Sequence, residues 1–189
     1  MQTRTVTRRL VIVALMLNLG VAAAHAEPWH VKMTFSGTNV ATTINLQANT
    51  ITDETHLTGI GSLGPFTFRE LHADGAAPRP PSGCMGPSFG VLKGGGVFRF
   101  LDGSLLIVTI VDGSGCINPA AGNAALVVNY QISGGTGRLM DACGSLTMTA
   151  TLMAVLRNAS NAPALLTNTG KFEGRVLGVG HGEEGHDGQ

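Results

Sequence analysis

The chain has 189 residues, 43% of them hydrophobic and 13% charged, with 12 Lys+Arg against 12 Asp+Glu. That length gives one domain with a real core, and that hydrophobic fraction excludes a disordered chain. Zero formal charge leaves no electrostatic footprint for nucleic acid, and 27 glycines without a G-X-Y period exclude collagen and signal many turns.

The first 26 residues read as a secretory leader. Arg4, Arg8 and Arg9 form a basic start, Leu10 to Ala24 is apolar apart from Asn18 and Gly20, and Ala24-His25-Ala26 is an A-x-A cleavage pattern. Cleavage between Ala26 and Glu27 leaves 163 residues with nine basic and twelve acidic groups, a net charge of −3. The apolar run is shorter than a membrane span needs, and no second long run follows. No Cys follows the run to carry a lipid anchor. The sequence predicts a soluble protein, secreted or periplasmic.

From Glu27 onward the hydrophobic period is two. Trp29, Val31, Met33 and Phe35 alternate with polar residues, and so do Ile44 and Leu46. A further strand is expected over His56 to Ser62. Phe66 and Phe68, then Phe98 and Phe100, mark two more. Asp102-Gly103 is a hairpin turn signal, with Leu106, Val108 and Ile110 on the return. Leu126 to Ile132, Leu146 to Leu152, and Phe172 with Val176 complete the set. Ala76 to Gly86 and Asn158 to Pro163 are loops, Gly137 to Ala142 offers one short helical turn, and residues 179–189 read as a disordered polar tail. Many short strands with regular turns mean an all-β sandwich or barrel.

One stretch carries a resemblance. Ile132-Ser133-Gly134-Gly135-Thr136-Gly137-Arg138, followed by Asp141-Ala142-Cys143-Gly144-Ser145-Leu146-Thr147, resembles the GGTGRF-x-GATGS-x-T signature of bacterial barrels related to allene oxide cyclase and the plant dirigent proteins. Thr55-His56-Leu57 and Gly64-Pro65-Phe66-Thr67 look like an earlier segment of that family. Leu139 stands where Phe is usual, and Cys143 where Thr or Arg is commoner. The resemblance covers roughly Trp29 to Gly178. It implies a closed antiparallel barrel of about eight strands over residues 27–178, with an apolar central cavity. Relatives include cyclases and proteins that steer the coupling of reactive intermediates. Many exported bacterial members have no assigned activity.

Gly59-Ile60-Gly61-Ser62-Leu63-Gly64 satisfies G-x-G-x-x-G, but a strand-like Phe66-Thr67-Phe68 follows where a dinucleotide site needs a helix. His181 to Asp187 is rich in metal-capable groups without a ligand-aligning helix, so no metal and no cofactor are expected. Glu70 and His72 share strand parity with Phe66 and Phe68, which places all four on the barrel's inward face. A carboxylate there is a candidate acid or base. Arg99 can hold a developing anion and Tyr130 can donate a proton, which completes a candidate catalytic set of Glu70, Arg99 and Tyr130. Phe66, Phe68, His72, Phe98 and Phe100 are the candidate ligand-binding residues. The simpler alternative is a solvated strand face.

Three cysteines allow three single pairings. Cys84 and Cys116 flank the Asp102-Gly103 hairpin and are expected to form a disulfide, leaving Cys143 as a buried, inert thiol. Three functions remain open: a carrier for a small hydrophobic ligand, a cyclase or dirigent-type enzyme, and a structural or interaction barrel with a filled interior.

Overall fold

The computed structural model describes residues 27–77 and 81–180. The expected leader with Ala26, and the tail beyond Gly180, lie outside them; Glu27 is the first described residue. Eight strands follow in order: β1 (Trp29–Thr42), β2 (Ile51–Gly61), β3 (Phe66–Ala76), β4 (Ser88–Phe100), β5 (Leu105–Asn118), β6 (Asn123–Gly135), β7 (Cys143–Arg157) and β8 (Pro163–Leu177). A 3-10 turn at Gly137–Leu139 fills the β6–β7 connection. Each strand pairs antiparallel with its neighbour in sequence, and β8 pairs with β1 to close the barrel. The all-β closed barrel expected from the resemblance is therefore present.

Side chains on alternate positions point inward, as period-two patterning requires. Val31, Met33 and Phe35 of β1, Leu126, Val128 and Tyr130 of β6, and Leu146 and Met148 of β7 are all buried. Ile44 and Leu46 do not form the expected strand. β1 continues unbroken to Thr42, and the chain then leaves the sheet. Local side-chain bonds replace the ladder there: Ile44 N–H donates to Thr42 Oγ1 (2.9 Å), and Thr50 Oγ1 donates to the Gln47 carbonyl (2.6 Å).

The two ends of the barrel differ. One end carries the short connections at 62–65, 101–104 and 136–142, and its interior is aromatic. Phe172 lies 4.9 Å from both Phe35 and Phe98, 5.3 Å from Phe68 and 6.2 Å from Phe66, centroid to centroid. Phe68 and Phe98 approach to 4.3 Å. The GGTGRL segment plugs this end. Gly137 takes a φ of 60°, a conformation that favours glycine, so Arg138 can fold back over the Phe100 ring (5.1 Å). Arg138 also donates to Asp102 Oδ2 and the Leu63 carbonyl, both at 2.6 Å. The other end carries the connections at 43–50, 77–87, 119–122 and 158–162.

Cys84 and Cys116 form the expected disulfide and tie the loop before β4 to β5. Cys143 departs from expectation: it is exposed. It shares parity with the outward positions of β7, whereas Leu146 and Met148 take the inward ones. The run Gly94 to Gly96 holds no bulge. The extra residue is Leu92, because Ala73 pairs with Lys93 and Asp74 with Val91.

Candidate functional site

The inward face of β3 changes character along its length. Phe66 and Phe68 lie in the aromatic end, then Glu70, His72 and Asp74 follow at the same parity toward the long-loop end. Glu70 is 3% exposed and His72 2%. From β2, Asp53 sits directly opposite His72, and Thr55 opposite Glu70. A band of buried polar groups continues around the wall. Asn39 of β1 pairs in register with Thr55, and Asn168 Nδ2 of β8 donates to Asn39 Oδ1 at 2.9 Å. Tyr130, from β6, is buried and donates weakly to Met148 Sδ at 3.9 Å.

His72 stands between two carboxylates. Its Nδ1 is 2.8 Å from Glu70 Oε1, and its Nε2 is 3.6 Å from Asp74 Oδ2. The first contact is electrostatic rather than a directed hydrogen bond, because neither atom has a partner in hydrogen-bond geometry. Glu70 Oε2, Asp74 Oδ1 and Thr55 Oγ1 are also buried without one. Buried polar atoms in native proteins are nearly always satisfied, by protein or by ordered water, and this cluster gathers several that have no protein partner.

The electrostatics follow from this crowding. Burial lowers the His72 imidazole's pKa, but Asp74 and Glu70 outweigh it and hold the group up at about 10. Burial first, and then the Asp74 charge, push Asp53 up to about 6, with His72 opposing. Burial, reinforced by Glu70, holds the Tyr130 hydroxyl well above the usual phenol range. Asp53 can take up or release a proton close to neutral pH, and ligand atoms of Asp53, His72 and Asp74 lie within 4.8 Å of one another.

The structure brings Glu70, His72 and Tyr130 inside the barrel, as their parity requires. It does not bring Arg99 to them. Arg99 is exposed on the outer wall of β4, between the inward Phe98 and Phe100. There it borders a groove of about 670 Å³ with Ile60, Pro65 and Leu101. Phe66, Phe68, Phe98 and Phe100 are buried against one another, and their contacts are mutual packing. Asp53 and Asp74 were not singled out from the sequence. Extending the period-two pattern of Phe66 and Phe68 through Glu70 and His72 reaches Asp74, so that signal was present. Asp53 gave none, because Ile51 to Thr55 does not read as strand. The G-x-G-x-x-G match spans the end of β2 and its turn into β3, with no helix following.

No helix among the described residues is long and apolar enough to cross a membrane. Comparison of the chain with family models, with curated proteins and with solved structures gives no match in any of the three.

Proposed function

We propose that the protein is an exported barrel that binds a small molecule at its long-loop end and handles it by proton transfer, as a cyclase or isomerase would. The carrying observation is the Glu70 carboxylate, buried with neither oxygen hydrogen-bonded and set among Tyr130, His72 and Thr55. A carboxylate in such a place is the usual form of a general acid or base, and the Tyr130 hydroxyl supplies a second proton-bearing group. The leader pattern and the disulfide support an oxidising compartment. The resemblance to cyclase-like barrels is in line with the same reading.

A carrier of an apolar ligand fits less well, since the rings of the aromatic end fill one another's space. That packing instead favours, as a second reading, an interaction barrel with a filled interior. Native mass spectrometry of the full chain, purified gently from its own source, separates the two. A reproducible small molecule, unchanged in Arg99→Gln and replaced by an unconverted isomer in Glu70→Gln, is the expected result. A wild-type protein that carries nothing across repeated preparations, or a Glu70→Gln variant that carries the molecule in the same chemical form as the wild type, overturns the catalytic reading.

A further inference from the structure

We infer that Asp53, His72 and Asp74 form a binding site for one divalent first-row metal ion, zinc fitting best, with Glu70 orienting the imidazole from behind. This deepens the reading of the long-loop end as the working end and rests on it. The ligand atoms of the three residues already lie within 4.8 Å of one another. The His72 Nε2 to Asp74 Oδ2 separation of 3.6 Å is too long for a hydrogen bond. It is close to the ~3.3 Å between two ligands that hold one ion at ~2.0 Å. Binding would require the aspartate side chains to rotate so that the widest separation, up to 4.8 Å, closes to that ligand–ligand value.

A second observation is independent of the cluster. Glu70 has a fully buried side chain with both oxygens lacking a hydrogen-bond partner, and it approaches the other nitrogen of the same ring, Nδ1, at 2.8 Å. A carboxylate within reach of one imidazole nitrogen, with open ligands before the other, is the arrangement from which a hydrogen bond formed at Nδ1 would present Nε2 to an ion. Charge points the same way. Three carboxylates, Asp53, Glu70 and Asp74, share this end with one histidine, and no Lys or Arg is buried among the described residues. A divalent ion taken up in exchange for the Nε2 proton adds positive charge among these carboxylates.

The donor set selects the class of ion. One imidazole and two carboxylates suit zinc, and disfavour magnesium and calcium, which take all-oxygen cages. Three protein ligands also leave a coordination position open to solvent or substrate. Access is available from the barrel end, where the Asp74 side chain is 17% exposed.

The test is titration of the chelator-stripped full chain with zinc chloride, read by native mass spectrometry and calorimetry. The expected result is one zinc per chain at micromolar affinity or tighter, with at least tenfold loss in Asp53→Asn and in Asp74→Asn. Glu70→Gln weakens binding ten- to a hundredfold at unchanged stoichiometry. His181 and His186 offer a competing site in the tail, so the variant with both changed to Asn must retain the zinc. Binding that vanishes with the tail histidines, or that ignores both aspartates, overturns the inference. Should an aspartate variant fail to fold, the X-ray absorption spectrum of the zinc-loaded wild type decides. One imidazole in a nitrogen–oxygen shell supports the site, and two imidazoles or none refute it. Zinc binding without any co-purifying molecule leaves the metal site and removes the catalytic reading; the converse result does the opposite.

Discussion

Phe172→Ala is the sharpest probe of whether the barrel's aromatic end is a packed core or a ligand cavity. Phe172 is fully buried, and five rings lie within 6.2 Å of it: Phe35, Phe66, Phe68, Phe98 and Tyr130. Transfer of a buried phenylalanine ring is worth about 1.5–3 kcal/mol, and loss of ring–ring contact adds to it. The wall cannot collapse inward to refill the space, because every strand is held by ladders on both sides. The loss should therefore fall in the upper half of the usual ~3–5 kcal/mol for such truncations. With an m-value of about 2 kcal/mol/M, the urea midpoint of the disulfide-intact chain drops by about 2 M. Benzene should raise the variant's melting temperature and leave the wild type's unchanged, since an apolar void admits it. A loss below about 1.5 kcal/mol, or benzene stabilising the wild type equally, would show that these rings line an open cavity.

Two further outcomes follow from the loops. Alkylation of the unfolded chain without reductant should add one label, at Cys143, and Cys84→Ser with Cys116→Ser should cost up to about 4 kcal/mol for closure over 32 residues; three labels would refute the bridge. Asp102 is held below the usual carboxylate range by the Ser104 backbone N–H and then by Arg138, so its contribution is present above about pH 4 and is lost as pH falls below that. Acid titration of Asp102→Asn should show a shallower loss of stability than the wild type, by no more than about 0.5 kcal/mol for so exposed a group. Equal acid sensitivity in the two proteins would sink that account.

The strand pattern was legible because a closed barrel of antiparallel strands sorts residues by parity alone. Val31, Met33 and Phe35, or Leu146 and Met148, announce the inward face without reference to any partner. The Cys84–Cys116 pairing was legible for a similar reason, since both flank one hairpin. Parity also brought Glu70, His72 and Tyr130 inside, and it puts Arg99 outside between the inward Phe98 and Phe100; Arg99 was a candidate on its chemistry alone, against its own parity. What the sequence could not show was depth and register. Asp53 meets His72 only because β2 extends back to Ile51 in a register that no local pattern announces. The Ile44–Leu46 alternation failed because hydroxyl-to-backbone bonds of Thr42 and Thr50 compete with the sheet.

The seam between the first and last strands has a consequence for how the molecule comes into being. Trp29 pairs with Val176 and Val40 with Leu165, so one flank of β1 stays without its partner until nearly the whole chain exists. In a chain made from its N-terminus, both β1 and β7 expose bare edges of 14 and 15 residues while β8 is missing. Bare edges recruit other strands. Loss of β8 should therefore yield a self-associating open sheet rather than a smaller barrel. Pairings this distant along the chain also make closure the slow step of folding.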